Sequence, residues 1–276
     1  PSWERCASSI RKATRCCLRT GSFSIFSSSQ ENFCCVETTI EGRQVVVAAG
    51  ARPMILDIPG ISDVTVHTSD DIMRLDEVPE HLIVLGGGFI ACELAHVFGA
   101  FGAQVTIVQR GLRLLQAEDH DVSAAITANF GQRFDLRTGC HVERVEPAGA
   151  GGGDGVIVHL TDGTTITGSH LLVATGRIPN SDLLDAAACG LELHPDGRIV
   201  TDLAQRTSVP GVWALGDISS PHMLKHVANH ETRVVAHNLA HPDDLRYTDH
   251  TAVPHAVFTN PQIAAVGLTE MQARAE

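Results

Sequence analysis

The segment His81-Leu-Ile-Val-Leu-Gly-Gly-Gly-Phe-Ile-Ala-Cys-Glu93 constrains this chain more than any other stretch. A short apolar run, Leu82 to Leu85, enters a glycine turn, and helix-forming residues leave it. The spacing Gly86-x-Gly88-x-x-Ala91 fits the dinucleotide-binding fingerprint of a strand–turn–helix unit. The first glycine permits the tight turn and the second lets backbone approach a pyrophosphate. The third position stays small so that the helix packs on the strand. The first amides of that helix lack intrahelical partners and lie at the positive end of its dipole, so an anion is stabilised there. A second strand, Val105 to Val108, follows at the expected distance.

The flanking sequence repeats the theme. Gln44 to Ala48 reads as a strand that ends in Ala49-Gly50, and Thr68 to Asp71 as a helix N-cap before Ile72 to Leu75. A strand over 104–109, a helix over Asp121 to Phe130 and a strand over Phe134 to Arg137 follow the fingerprint. Residues 156–160 and 165–167 read as a hairpin with an Asp162-Gly163 turn, entered from the glycine-rich loop 149–155. Leu171 to Ala174 is a buried strand stopped at Thr175-Gly176, Gly211 to Leu215 another stopped at Gly216-Asp217, and Lys225 to Ala240 a helix. Alternating strands and helices predict an α/β fold, a doubly wound, mostly parallel Rossmann-like sheet with a β-hairpin insertion. Ligands of such sheets sit beyond the carboxyl ends of strands, which singles out Gly50, Gly176 and Asp217. An aspartate there accepts hydrogen bonds from sugar-like hydroxyls; a turn or N-cap role is the competing assignment.

Bulk properties narrow the partners. A chain of 276 residues is expected to hold two domains or parts of more. Twenty basic against 32 acidic side chains, a net charge of −12, argue against nucleic acid, as do one Tyr and two Trp. No apolar run approaches the roughly 20 residues that span a bilayer, so no membrane partner is expected. Five of the eight cysteines crowd the first 35 residues, with no C-x-x-C pair and no zinc-type cluster. That usage fits reduced thiols and a cytoplasmic location. Residues 1–36 show no convincing period and read as a disordered or misread stretch; their basic, serine-rich composition also mimics a transit peptide.

Four motifs in order now carry a resemblance. They are Gly86-Gly-Gly-Phe-Ile-Ala-Cys-Glu93, Ala174-Thr-Gly-Arg-Ile-Pro-Asn180, Thr207-Ser-Val-Pro-Gly-Val-Trp-Ala-Leu-Gly-Asp217 and Phe258-Thr-Asn-Pro-Gln-Ile-Ala-Ala-Val-Gly-Leu-Thr-Glu270. Together they resemble the FAD-dependent pyridine nucleotide-disulfide oxidoreductases, among them glutathione reductase, dihydrolipoamide dehydrogenase and mercuric reductase. The segment Ser219 to Glu231 is similar to the mycothione reductases of that family, whose substrate is the disulfide of mycothiol. The resemblance covers about residues 37–276 and implies a partial FAD-binding domain (37–66 and 176–248), an NAD(P)-binding domain (67–175) and the start of a dimerisation domain (249–276). It implies that Gly86, Gly87, Gly88, Phe89, Ile90, Ala91, Cys92 and Glu93 hold the nicotinamide nucleotide's pyrophosphate and ribose, with Gly176 lining the same pocket. Asp217 is implied to bind the FAD ribityl chain, with Gly50 near the flavin's nucleotide half. A small-molecule disulfide substrate and a homodimer are the implied partners.

The end of the second strand bears on NADPH against NADH. An acidic side chain there binds a ribose 2′-hydroxyl, whereas arginine binds a 2′-phosphate. This chain has Gln109 at that position, followed by Arg110 and Arg113, which favours NADPH. Gln116 stands where NADPH-specific members often carry a second arginine, so Arg113 is expected to replace it. His222, His226 and His230 are four apart and would share a helix face as metal ligands do, but no carboxylate completes a metal motif, and no metal is expected. Cys92 is expected to pack rather than react.

The chemistry implied by the family, hydride transfer to flavin and then to a disulfide, needs a pair of cysteines separated by four residues and a His-Glu base pair. No two cysteines here have that spacing, and His241-Pro242 precedes the dimerisation segment. The chain is therefore expected to be a fragment that does not turn over alone. A non-catalytic NAD(P)-binding fragment and a dihydrolipoamide dehydrogenase-like flavoenzyme stay open as alternatives.

Overall fold

The computed structural model describes residues 17–19, 22–27, 36–149 and 155–276. Strands β1 (Cys17–Arg19), β2 (Ser22–Ser27) and β3 (Val36–Glu41) form an antiparallel sheet. Of segment 1–36, expected to be disordered or misread, residues 17–19, 22–27 and 36 are strand, and the rest lies outside the described residues. The runs are short, and it is pairing of Ser22–Ser27 with Val36–Glu41 that makes them strands. In chain order there follow β4 (Val45–Val47), β5 (Ala51–Pro53), β6 (Val66–His67), β7 (His81–Leu85), α1 (Phe89–Ala100) and β8 (Gln104–Gln109). Next come α2 (His120–Arg133), β9 (Asp135–Thr138), β10 (Val142–Pro147), β11 (Val156–Leu160), β12 (Thr165–Gly168) and β13 (His170–Val173). The last are β14 (Arg177–Pro179), β15 (Val212–Ala214), α3 (Lys225–Ala240), β16 (Pro254–Val257), β17 (Ile263–Val266) and α4 (Glu270–Ala275).

The chain divides into two compact units, one of residues Pro1–Arg52 and Ile178–His250, the other of Pro53–Arg177 and Thr251–Glu276. The second unit is built on a five-stranded parallel sheet in the order β6-β13-β7-β8-β9. The apolar run of β7 serves both faces by simple alternation. Leu82 and Val84 join Ala91, Cys92, Ala95, Phe98, Ile126 and Phe130 under α1 and α2. Ile83 and Leu85 join Val145, Val156, Val158, Leu160 and Ile166 of the antiparallel sheet β10-β11-β12. Each fully buried Leu or Ile contributes roughly 1.5–3 kcal/mol, so the sheet is held from both sides. The hairpin insertion is thus the sheet's second cover.

Boundaries shift from the sequence reading for physical reasons. Residues 53–66 belong with the parallel-sheet unit: Ile58 is buried in its core, and Val145 N–H donates to Pro59 O at 2.9 Å. Residues 251–276 pack on the same unit: Val257 is buried in the helix-side core and Arg133 Nη1 donates to Asn260 O at 2.9 Å. The helix expected over Ile72 to Leu75 is a single 3-10 turn, Ile72–Arg74. Asp71 does not cap it; its Oδ1 accepts from the Thr68 amide (2.7 Å) and hydroxyl (2.9 Å) behind it. The sequence pattern does not announce β10, because a register shift between Val142 and Arg144 breaks its alternation.

The first unit pairs β4 with β15 in parallel, Val45 opposite Val212, over a core of Ala186, Leu191, Ile199, Val212, Ala214 and Ile218. The helix predicted over Lys225 to Ala240 is α3, end to end. Among the described residues no helix is long and apolar enough to cross a membrane.

Candidate nucleotide-binding site

Neighbouring strands β13, β7 and β8 bring three sequence-predicted positions to one edge: Gly176 beyond β13, Gly86 after β7 and Gln109 closing β8. The turn after β7 is tight. Gly86 has φ 123°, and a Cβ there would lie 2.3 Å from Ala174 O, so no other residue fits. Its N–H donates to Val108 O (2.9 Å), while Ala174 N–H donates to Leu85 O (2.8 Å). Gly87 is buried, and its carbonyl accepts from Leu115 N–H at 2.7 Å. Gly176 accepts at its carbonyl from Met54 N–H at 2.9 Å.

Gly88 stands at the amino end of α1 in extended backbone, and a Cβ there would meet nothing within 4 Å. No side chain caps the helix. The first intrahelical bond is Cys92 N–H to Gly88 O (3.0 Å), which leaves the amides of Phe89, Ile90 and Ala91 without partners inside the helix. Open space, free donors and the dipole together make a cradle for an oxyanion. Phe89 is exposed beside it, and Ala91 is fully buried, as close packing on β7 requires. Cys92 is likewise buried; burial pushes its thiol up to about 12, with the Glu93 carboxylate adding to the rise. It is a packing residue, as expected. Glu93 is already engaged: its Oε1 accepts from Phe258 N–H at 2.9 Å, which ties α1 to the β16-β17 hairpin.

Gln109 Nε2 donates to Arg113 O at 3.4 Å, so the loop beyond β8 folds back on the strand end. The loop is held further by Leu114 N–H to Thr127 Oγ1 (2.9 Å) and by Ser123 Oγ to Leu114 O (2.6 Å). Sequence reasoning missed this brace, for which Gly111 is the only turn residue at the loop's start; the structure adds Leu115 in the left-handed region at φ 49°. Among the described residues neither Arg110 nor Arg113 forms an ion pair, although several other arginines do.

In the first unit, Asp217 follows β15 and is half-buried, with no hydrogen bond or ion pair from its carboxylate among the described residues. Gly50 has φ 65° and open space about its Cβ position. An unpartnered carboxylate at a strand's carboxyl end suits a polyhydroxyl chain. His226 and His230 lie on α3 and His222 before it; among the described residues no group of three or more His, Cys, Asp or Glu is arranged to hold a metal ion.

Comparison with known proteins agrees with this geometry. Residues 7–236 match the family model described as pyridine nucleotide-disulphide oxidoreductase, a likeness that begins well before residue 37. The early segment carries none of the four motifs, which is why the sequence did not show it. The chain is 52% identical over 237 residues to mycothione reductase from Mycobacterium tuberculosis, covering 84% of this chain and 50% of that one. It is 34% identical over 242 residues to a dihydrolipoyl dehydrogenase from Haemophilus influenzae, covering 87% and 49%. A Cu(II) complex of the HOCl-induced flavoprotein disulfide reductase RclA from Escherichia coli superposes with a TM-score of 0.82 at 28% identity, covering 94% of this chain and 57% of that one. The chain spans about half the length of the curated relatives it matches. With the glycine cradle, the parallel sheet and a family match over most of its length, the chain belongs to the pyridine nucleotide-disulphide oxidoreductases.

Proposed function

We propose that this chain supplies the NADPH site and part of the FAD site of a cytoplasmic, mycothione reductase-like disulfide reductase. The observation that carries the reading is the uncapped amino end of α1 at Gly88, beside a β8 end that bears Gln109, Arg110 and Arg113. The amides of Phe89, Ile90 and Ala91 bind the pyrophosphate. Gly86 and Gly87 shape the turn, Cys92 packs behind it, Glu93 fixes the helix, and Gly176 lines the pocket. Gln109 brings no negative charge to repel a 2′-phosphate, and the guanidiniums of Arg110 and Arg113, without an ion pair among the described residues, receive it. Asp217 accepts hydrogen bonds from the FAD ribityl hydroxyls, and Gly50 lets the cofactor's nucleotide half approach.

When bound, the flavin passes electrons from the reduced nicotinamide to a disulfide. The full assembly acts on a small-molecule disulfide, that of mycothiol being favoured by the likeness to mycothione reductase. It pairs as a homodimer through a domain that opens with β16 and β17. This sequence holds no cysteine pair at the redox spacing, so the chain by itself binds nucleotide without turning over. A dihydrolipoyl dehydrogenase-like, NADH-using reading is the second one, and Gln109 argues against it.

The test is titration of the purified chain with NADPH and NADH. NADPH is expected to bind more tightly, and Arg110→Ala to remove most of that preference. Equal affinities of the unaltered chain for the two nucleotides end the NADPH assignment.

A further inference from the structure

The unit that carries Asp217 also encloses a carboxylate with no role in the reading above. Glu231, in the second turn of α3, is 1% exposed. Its Oε2 accepts from the Gly216 N–H at 2.6 Å. Its Oε1 lies 3.2 Å from His250 Nε2 without an aligned hydrogen bond, and the ring of His222 meets that of His250 edge-on at 5.3 Å. A carboxylate taken from water costs free energy unless its oxygens find donors. Here the donor is the first amide of the turn that presents Asp217.

That turn is fixed at each end of one residue. The Gly216 carbonyl accepts from Ser219 N–H (2.9 Å) and Ser220 N–H (2.8 Å), closing the turn on itself. The preceding Leu215 N–H donates to Val47 O at 3.1 Å, holding it to β4. Glu231 supplies the link to α3, through the Gly216 amide. We infer that Glu231 is a positioning residue for the flavin: through Gly216 it sets where the Asp217 carboxylate stands at the end of β15. The inference rests on the reading that Asp217 binds the FAD ribityl chain. His250 and His222 close the far side of the carboxylate and keep its free oxygen from water.

The test uses the full 276-residue chain as wild type, Glu231→Gln, Glu231→Ala and Glu231→Asp, titrated with FAD by flavin fluorescence and visible absorption. Hydrogen exchange over residues 214–220 and NADPH affinity are read in parallel. The amide oxygen of Glu231→Gln still accepts from Gly216, so its FAD affinity stays within about threefold of wild type. Glu231→Ala leaves that amide unsatisfied and weakens FAD about tenfold or more, with faster exchange at Gly216 and an altered bound-flavin band. NADPH affinity, which belongs to the other unit, stays unchanged in both. Should Glu231→Ala fail to fold, Glu231→Asp decides, since its carboxylate keeps the charge but falls short of Gly216. Wild-type FAD affinity in Glu231→Asp or Glu231→Ala overturns the inference and leaves the Asp217 reading standing. A loss in Glu231→Gln as large as in Glu231→Ala also overturns it. A wild-type chain that takes up no FAD removes the Asp217 reading and the inference together.

Discussion

Gly86 and Gly88 sit two residues apart in one turn, yet the structure predicts opposite consequences when each gains a methyl group. At Gly86 the backbone has φ 123°, a region L-residues avoid at a cost of roughly 1–3 kcal/mol. The new Cβ would also stand 2.3 Å from Ala174 O, an overlap that only separation of β7 from β13 relieves. Taken together, Gly86→Ala should destabilise the unit by about 3 kcal/mol or more. At roughly 2–4 °C per kcal/mol, that lowers the melting temperature by about 6–12 °C. Gly88 has φ −82° and ψ −175°, which alanine adopts freely, and its Cβ meets nothing within 4 Å. Gly88→Ala should therefore change stability by no more than about 0.5 kcal/mol. Its methyl group instead fills the space through which a pyrophosphate approaches the α1 amides, and NADPH affinity should fall about tenfold or more. Thermal unfolding by circular dichroism and NADPH titration by fluorescence separate the two effects. A Gly88→Ala chain that binds NADPH like wild type refutes the cradle, and a Gly86→Ala chain that melts with wild type refutes the steric argument.

Two further outcomes follow from single side chains. Cys92, fully buried with its thiol pushed up to about 12, should resist alkylation in the native chain at neutral pH and react only after denaturation, as mass spectrometry of trapped peptides would show. The Asp182 carboxylate accepts from both terminal nitrogens of Arg52, Nη1 at 2.8 Å and Nη2 at 2.6 Å, and Arg52 holds its carboxyl below the usual range. Stability from that pair is thus present above the unfolded value of about 3.9 and lost as pH falls through it toward the lower folded one. Asp182→Asn should melt slightly below wild type at neutral pH, by the equivalent of at most about 1 kcal/mol, with the gap closing below about pH 4. A gap that stays constant from neutral to acid pH contradicts the assignment.

Much of the parallel-sheet unit is legible in the residues alone, because its signals are local. The run Leu82 to Leu85, the glycines after it and the small Ala91 specify strand, turn and helix within a dozen positions, and β7 and α1 stand where they predict. β8 matches its predicted span, and α3 does so at both ends, since each is a periodic run bounded by breakers. Gly86, Gln109 and Gly176 could be nominated from sequence because ligand sites of parallel sheets lie beyond strand ends, a rule that needs no coordinates.

What the residues alone leave open is decided by partners distant in sequence. β10 exists because β11 pairs with it across a register shift, and no local period announces it. The β16-β17 hairpin is tied to the parallel-sheet unit where Glu93 takes the Phe258 amide and Arg133 the Asn260 carbonyl, contacts that no local pattern announces. The loop bearing Arg110 and Arg113 is braced by Gly87, Ser123 and Thr127, and Gly216 is met by a carboxylate from α3. Sequence determines which backbone conformations and buried faces are open to each short segment, since sterics and periodicity act over a few residues. Which donor finds which acceptor depends on chain closure over tens of residues, and only the packed structure sets it.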